Sequence, residues 1–174
     1  MACNITDNIL LDCIDGLGGI KAAWVGTNVT ITSSVGGTCG IVTSGTGTGT
    51  MYEFQFPKDT GSYTETTNIA PAAGTVFYQQ DLALVFNKMD ACKRDQLLLL
   101  AKNRDIKAIF QDSNDKYWLI GLTRGAQVSA GGAVTGVAPG DANQYTVTIS
   151  GQEPEGALEL ASATVFSGIT ITNA

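Results

Sequence analysis

Alternation of side chains with a period of two residues is the feature that most limits how this chain can fold. Residues 52–56 read Tyr-Glu-Phe-Gln-Phe, so that aromatic and polar side chains take turns. A related alternation returns at 145–149, Tyr-Thr-Val-Thr-Ile. Successive side chains of a strand point to opposite faces, so this period predicts strands with one buried face. We therefore expect a mainly β fold in which the aromatic face of 52–56 lies in the core.

Other β-rich segments are separated by turn residues. The polar run Asp112 to Lys116 predicts a hairpin turn between two of them. The spacing of Asp112 and Asn114 also suggests calcium, but the glycine and closing glutamate of an EF-hand loop are missing, so we interpret the run as a turn. The expected sheet is antiparallel, and its further strands lie in residues 20–35 (two strands around 26–28), 63–67, 75–86, 106–111, 117–122 and, as a last strand or an arm laid on a neighbour, 157–174.

One helix is predicted, from about Asn87 to about Asn103, with Asp90 in its first turn, where the helix dipole favours an acid. At 100° per residue, Leu98 points away from the apolar sector, on the side of Arg94. Leu98 is then either an ordinary exposed leucine or, together with Arg94, part of a contact with a second subunit. The apolar sector itself is predicted to contain Met89, Cys92, Leu99 and Leu100.

Residues 36–50, GGTCGIVTSGTGTGT, are rich in glycine and threonine and poor in apolar side chains. This composition predicts a long loop. Loops of this length in compact domains are usually functional or disordered, so the segment is either a flexible surface loop or an arm that orders against a neighbouring subunit. The residues of such an arm would be Gly45, Thr46, Gly47, Thr48 and Gly49.

Composition argues against an enzyme. The chain of 174 residues has the length of a single domain, 1–174, and contains no histidine, which removes imidazole bases and imidazole metal ligands. Its four cysteines, Cys3, Cys13, Cys39 and Cys92, form no CxxC pair, and its glycine clusters match no phosphate-binding motif. We expect no catalytic site, no metal and no cofactor.

The charge is sparse and acidic: 15% of residues are charged and the net charge is −6. Few charges on a 44% hydrophobic chain suggest that other subunits cover part of its exterior. An acidic chain is a poor phosphate binder, although DNA could slide past it. Without an apolar run of membrane-spanning length or a signal-peptide pattern, we expect assembly in a reducing cytoplasm with free thiols and no membrane contact.

Several segments together resemble structural proteins of tailed bacteriophages, and most closely their tail tube proteins. The resemblance rests on turns and strand ends and covers most of the chain. Its segments are the C…C-x-D-G-x-G-G-I-K order from Cys3 to Lys21, GSYTET at 61–66, GTVFYQQ at 74–80, DSNDKYWLIG at 112–121 and GQEP at 151–154.

The resemblance implies a β-sandwich or open β-barrel with one flanking α-helix, which assembles as hexameric rings that stack into a tube in the virion tail. Its partners would be further copies of itself, other tail or neck proteins, and DNA that passes through the lumen during ejection without specific binding. The 36–50 segment would reach the adjacent ring. Acids in the strand regions, Glu53, Glu65 and Asp81, are the candidates for a DNA-repelling lumen.

Two alternatives remain at this stage. The chain could be a phage neck or connector protein or a head-decoration protein. It could also be a β-sandwich binding module, for example for carbohydrate, with an exposed aromatic patch for which Trp24, Tyr117 and Trp118 are the candidates. Aromatic residues of such alternating strands more often belong to a core or a hairpin, which is the interpretation we favour for these three.

Overall fold

The computed structural model describes residue 9 and residues 14–173, and in this part the chain is mainly β with one α-helix, as expected. Cys3 and Cys13 lie outside the described residues, whereas Cys39 and Cys92 are exposed free thiols. No helix of the described part has the length and apolar character needed to span a bilayer. The elements in chain order are β1 Ile20–Gly26, β2 Thr30–Gly36, a 3-10 turn Thr38–Gly40, β3 Val42–Glu53, β4 Ser62–Ala70, β5 Thr75–Asn87, α1 Ala91–Lys102, β6 Lys107–Asp112, β7 Tyr117–Ile120, β8 Ala126–Val134, β9 Gln144–Glu153, β10 Leu158–Leu160 and β11 Phe166–Thr172.

Five strands close into a small barrel. Pairing runs from β1 to β6, β7, β10 and β3, and the C-terminal end of β3 returns to β1 through Trp24 opposite Glu53. β2 and β11 extend this sheet on the two sides of β3. Most pairs are antiparallel, but β10 and β11 both run parallel to β3, so the expectation of a purely antiparallel sheet was wrong.

The strands β1, β6 and β7 are buried on both faces, and alternate residues serve two separate cores. Trp24, Ile109 and Leu119 point into the barrel, while Ala23, Phe110 and Ile120 point outward to a second sheet. This division follows from the two-residue period of a strand. It also explains why these strands are nearly continuous apolar runs.

The second sheet contains four antiparallel strands in the order β4-β5-β9-β8. Its inner face packs on the outward face of the barrel through Leu82, Leu84, Val147 and Ile149, each at most 5% exposed. The molecule is therefore a sandwich in which one of the two layers is the wall of a barrel.

The 36–50 segment is not a loop, because residues 42–53 form strand β3, the longest strand of the barrel sheet. Its glycines face the barrel side and its threonines face outward. A side chain at Gly45 would lie 2.5 Å from the ring of Phe166, its partner on β11, and Gly47 is covered by Ile169. Large neighbours on β11 thus supply the apolar side chains that β3 itself lacks, an arrangement known from glycines paired with aromatic residues.

The helix begins later than predicted. Asp90 is the N-cap, with its carboxylate accepting a hydrogen bond from the N–H of Cys92, and Asn103 is the C-cap. Only Leu100 of the helix is fully buried and Leu97 is half-buried against the sandwich core. Leu99 was expected in the apolar sector, but it is 62% exposed, and Cys92 is exposed as well.

Buried polar groups hold the end of the sandwich near β9. The carboxylate of Glu153, 3% exposed, accepts hydrogen bonds from the backbone N–H groups of Thr123 at 3.1 Å and Arg124 at 2.9 Å. Gln80, also buried, accepts one from the N–H of Gly121. These bonds fix the connection between β7 and β8 to the second sheet.

The turn between β6 and β7 forms as predicted. One carboxylate oxygen of Asp112 accepts hydrogen bonds from the N–H groups of Asn114 at 2.8 Å and Lys116 at 2.9 Å, and Asp115 adopts a positive φ of 63°. This is ordinary turn chemistry for an aspartate. The final segment contains β10 and β11, which confirms the strand prediction for 157–174.

Candidate assembly surfaces

The outer face of the second sheet is polar and almost uncharged, and we call it the polar sheet face. Its side chains are mostly serine, threonine, glutamine, asparagine and small residues, with Asp81 as the one charged residue. The registers of β4, β5, β9 and β8 also place the apolar side chains of Phe77, Val85 and Val134 there. Gln79 and Ser150 both donate hydrogen bonds to Asp81, and Gln152 donates to Gln79 at 3.1 Å. The carboxylate is therefore held within a network of neutral side chains.

The two edges of this sheet are available for pairing. Within residues 14–173, β4 pairs with β5 alone, and β8 pairs with β9 alone apart from one bridge between Ala126 and Ile106. Unpaired edges are templates for another strand. Along the order β4-β5-β9-β8 every pair is antiparallel, so the two edge strands also run in opposite directions. A second copy could therefore continue the sheet antiparallel after a simple rotation.

The barrel sheet also has two outer edges, β2 and β11, but both are interrupted. The pairing of β2 with β3 shifts between Ile31 and Ser33, and that of β11 shifts between Ser167 and Ile169, where Gly168 has a φ of 90°. Bulges twist an edge away from regular pairing and protect it. In the second sheet β4 carries no such shift, and β8 carries one, between Val128 and Ala130. The second sheet therefore has one uninterrupted edge, which makes it the better candidate for pairing between copies.

The three acids predicted to share a lumen do not share a face. Asp81 lies on the polar sheet face, whereas the register pairs Glu65 with Gln80, on the opposite side of the same sheet. Glu65 accepts hydrogen bonds there from the N–H of Ala157 and the hydroxyl of Tyr63. Glu53 lies in the barrel sheet, at the closure of β3 on β1. The three acids therefore form no common surface; that they line a lumen stays a prediction, with Asp81 as the candidate on the polar sheet face.

The predicted inter-ring residues, Gly45, Thr46, Gly47, Thr48 and Gly49, lie inside β3 with β2 on one side and β11 on the other. They are not free to extend from the molecule. The prediction of an arm at these positions was wrong because an alternation of glycine with threonine also fits a strand whose inner face is covered by its neighbours.

Leu98 and Arg94 are exposed on the same side of α1, one helical turn apart, and Arg94 forms an ion pair with Asp95 at 2.9 Å. Their contact with a second subunit stays a prediction.

A more apolar surface lies beside Leu98 and Arg94. It is a groove of about 680 Å³ between α1 and the ends of β1, β3 and β5, which we call the helix groove. Its apolar wall includes Tyr52, Phe54, Phe86, Leu97 and Leu99.

Tyr52, Phe54 and Phe56 were expected to form one buried face. Phe54 and Phe56 do pack against the sandwich core, and Phe54 meets Phe86 edge to face at 5.8 Å. Tyr52 does not, since it is 56% exposed at the helix groove. β3 ends at Glu53, so the period of two does not continue through Phe56.

A second unpredicted feature is the hairpin end of β4 and β5. Pairing of β5 with β9 ends at Tyr78 opposite Glu153, but β4 and β5 continue for three further rungs to Ala70 opposite Thr75. We call residues 67–78 the ribbon. The sequence carried a signal for it, since no charged residue occurs from Thr66 to Gln80.

A smaller cavity of about 440 Å³ opens at the other end of β1, where Trp118, Tyr63 and Phe110 stand beside Glu65 and Asp112. Burial, and then the hydrogen bond to Glu65, raise the pKa of Tyr63 well above its ordinary value. The tyrosine therefore stays a neutral donor.

The aromatic residues proposed for an exposed binding patch are mostly enclosed. Trp24 is buried inside the barrel, where its ring lies 6.2 Å from that of Tyr117 and its indole N–H donates to Asn173. Trp118 and Tyr117 are half-buried. These residues belong to the cores and to the hairpin of β6 and β7, as the sequence favoured, and they form no exposed patch.

Comparison of the chain with family models, with curated proteins and with solved structures found no match.

Proposed function

We propose that this chain is the tail tube subunit of a tailed bacteriophage: copies join edge to edge into rings, and the rings stack into a conduit for DNA. The observation that carries the proposal is the second sheet, which has two available edges of opposite direction and an outer face with a single acid, Asp81. When β8 of one copy pairs with β4 of the next, each copy is rotated relative to its neighbour, and the copies form a ring if these rotations add up to a full turn. The resemblance of the sequence to tail tube proteins is the reason for proposing stacked rings rather than another kind of assembly.

The dimensions of such a ring suit its proposed role. Six copies of a four-stranded sheet contribute 24 strands. At about 4.8 Å between strands, they give a circumference of about 115 Å and a backbone diameter of about 37 Å. With the polar sheet face turned inward, the wall would present neutral side chains and one carboxylate from each copy. Such a wall offers phosphates no cation to hold, so DNA could pass without sticking.

The first experiment tests ring formation through β4 and β8. We expect the purified chain to form rings or tubes with a central hole in negative-stain electron microscopy. Ala130, exposed on β8, is the site for a blocking substitution, because lysine on an edge strand opposes pairing with another strand. Ala130→Lys should leave a folded monomer of 18.1 kDa in light scattering. Thr164→Lys, in an exposed turn, is the matched control and should assemble.

The outcomes separate the alternatives. Rings that never stack would favour a neck or connector protein. A wild-type chain that remains a monomer at every concentration, or rings that Ala130→Lys does not affect, would refute assembly through this edge.

The lumen is tested with assembled particles. Asp81→Lys changes the charge of a six-fold ring by twelve, so variant tubes should retain duplex DNA at low salt and release it at high salt. Wild-type tubes should not retain it. Equal retention by both tubes would show that the polar sheet face does not line the lumen.

A binding module is the second candidate, and the smaller cavity with Trp118, Tyr63 and Glu65 favours it. An aromatic face beside a carboxylate is suitable for stacking and hydrogen bonding to a sugar ring. In this case the chain would be monomeric, and a soluble oligosaccharide would change its tryptophan fluorescence. Trp118→Ala should abolish that change.

A further inference from the structure

Two uncovered apolar features lie at opposite ends of β5. The ribbon is at the N-terminal end of this strand, and Phe86, near its C-terminal end, lines the helix groove. Eleven steps separate residues 75 and 86, a distance of about 36 Å along a strand. A copy displaced along β5 would therefore bring its ribbon to the groove of its neighbour.

The ribbon continues the core-facing side of the second sheet beyond the core. The register places Ile69 opposite Val76 on the side of the sheet that carries Leu82 and Leu84. Ile69 is 65% exposed and Val76 is 51% exposed. In the described part of the chain, no third strand pairs with the rungs beyond Tyr78. A two-stranded hairpin is only marginally stable in water, so this surface favours a covering partner.

The helix groove is open on the side away from the core. Leu99 and Tyr52 stand on its rim, both more than half exposed, while Phe86 and Leu100 close its floor. Its two charged lining residues, Glu53 and Lys93, have opposite signs, so the groove has no net charge. The ribbon carries no charge either. The two surfaces therefore match in polarity.

We propose that the ribbon of one copy docks in the helix groove of a second copy, which makes the head-to-tail contact between successive rings. This inference rests on the proposed ring assembly and names the surfaces through which its rings stack. Because ribbon and groove are different surfaces at opposite ends, the contact is heterologous and repeats along the axis.

The size of the contact explains why it needs a ring. Standard interfaces bury about 800 Å² per partner over 20 to 30 residues, so the ten ribbon residues beyond the last rung with β9, 68–77, correspond to about 300 Å² per partner. One such contact buries about 600 Å² in total, below the roughly 1,000 Å² of a specific interface. Six contacts between two rings bury about 3,600 Å², and they act together once the rings align. Rings should therefore stack, whereas free monomers should associate only weakly.

The test uses paired variants of the full chain. Ile69→Asp places a charge on the ribbon, Leu99→Asp places one on the groove rim, and Leu98→Asp is the control, since Leu98 is similarly exposed at 51% but does not line the groove. Because a contact of Leu98 with a second subunit also stays a prediction, Val35→Asp on β2, 57% exposed and outside both groove and ribbon, is a second control. In electron microscopy we expect single rings from the first two variants and full tubes from Val35→Asp; single rings from Leu98→Asp alone would assign Leu98 to a separate contact. All four substitutions are at exposed positions, and circular dichroism verifies the fold.

Mixing the two defective rings gives a more specific result. Leu99→Asp rings retain their ribbons, and Ile69→Asp rings retain their grooves. The mixture should therefore form pairs of rings that grow no further, with twice the mass of a single ring. Tubes of normal length from both single variants, or a mixture in which no ring pairs form, would overturn the proposal.

A disulfide test works even if no ring forms. Cys92 lines the helix groove and is exposed. Under mild oxidation, Ile69→Cys should give a ladder of linked copies at high protein concentration, and Ile69→Cys combined with Cys92→Ser should not. A Cys92-dependent ladder without rings would support the docking contact while the proposed function failed. No such ladder would overturn the docking contact, whether or not rings are present.

Discussion

Gly49→Ala should destabilise the chain by about 3 kcal/mol, because Gly49 is in the middle of β3 with a φ of 120°. Side chains rarely adopt this backbone conformation, and enforcing it costs on the order of 1–3 kcal/mol. The added Cβ would also overlap the carbonyl oxygen of Asn28. Relieving that overlap moves β3 away from its neighbours and weakens about one hydrogen bond, at about 1 kcal/mol.

Urea denaturation followed by circular dichroism measures this loss, and the melting temperature should fall by about 6–12 °C at 2–4 °C per kcal/mol. The control is Thr48→Ala, the neighbouring exposed position opposite Thr30, where the loss should stay below about 1 kcal/mol. In a flexible loop, a glycine-to-alanine change usually stabilises by about 0.4–1 kcal/mol, by restricting the unfolded chain. A Gly49→Ala protein as stable as the wild type, or more stable, would refute the strand.

Three further predictions concern the core, a buried acid and a loop. Phe166→Ala should lower the free energy of unfolding, measured by urea denaturation, by about 3–5 kcal/mol, because it opens a cavity over the glycines of β3. A decrease below about 1 kcal/mol would contradict that packing. Glu153→Ala should lower the free energy of unfolding by about 3 kcal/mol, because the part-buried N–H groups of Thr123 and Arg124 lose their acceptor. The exposed Glu155→Ala should change it little. Hydrogen bonds from the N–H of Ala138, and then of Val137, lower the pKa of Asp141. The ordering of its loop should therefore persist above an ordinary aspartate pKa and be lost as the pH falls through the lowered value. An NMR titration of the two amides that gave an ordinary or raised pKa for Asp141 would contradict these bonds.

The strands with apolar and β-branched side chains were predictable from sequence. The hairpin of β6 and β7 followed from two apolar runs around a polar turn, and β9 from its alternation. These signals are local, because a period of two and a turn can be identified within ten residues. The existence of the helix was predictable for the same reason.

β3 was missed because its burial comes from other strands. A strand with glycine at every second position has no apolar face of its own, and the residues that cover it, Phe166 and Ile169, are more than a hundred positions away in sequence. The alternation itself was visible in the sequence, but local composition favoured a loop. β-propensity depends on such neighbours more than on the residue itself.

The predicted lumen acids show how far the sequence alone can assign residues to a candidate surface. Glu65 and Asp81 were grouped because both lie in strands, but their registers place them on opposite faces of one sheet. A shift of one residue reverses the face, so such an assignment requires the exact register. The ribbon, by contrast, was recognisable in the sequence as a segment without charged residues. Only its position beyond the end of β9 required the structure.

The position of β11 determines when the core of the barrel is covered during synthesis. β3 leaves the ribosome early, whereas its parallel partner follows about 110 residues later, which takes roughly ten seconds at about 10 residues per second. Trp24 likewise forms its indole hydrogen bond only when Asn173 arrives. Until then, one edge of β3 is open and its glycines lack their cover, so the barrel core is incomplete even when its five closing strands have been made. The packing of the barrel core therefore depends on a contact between segments that are far apart in the sequence.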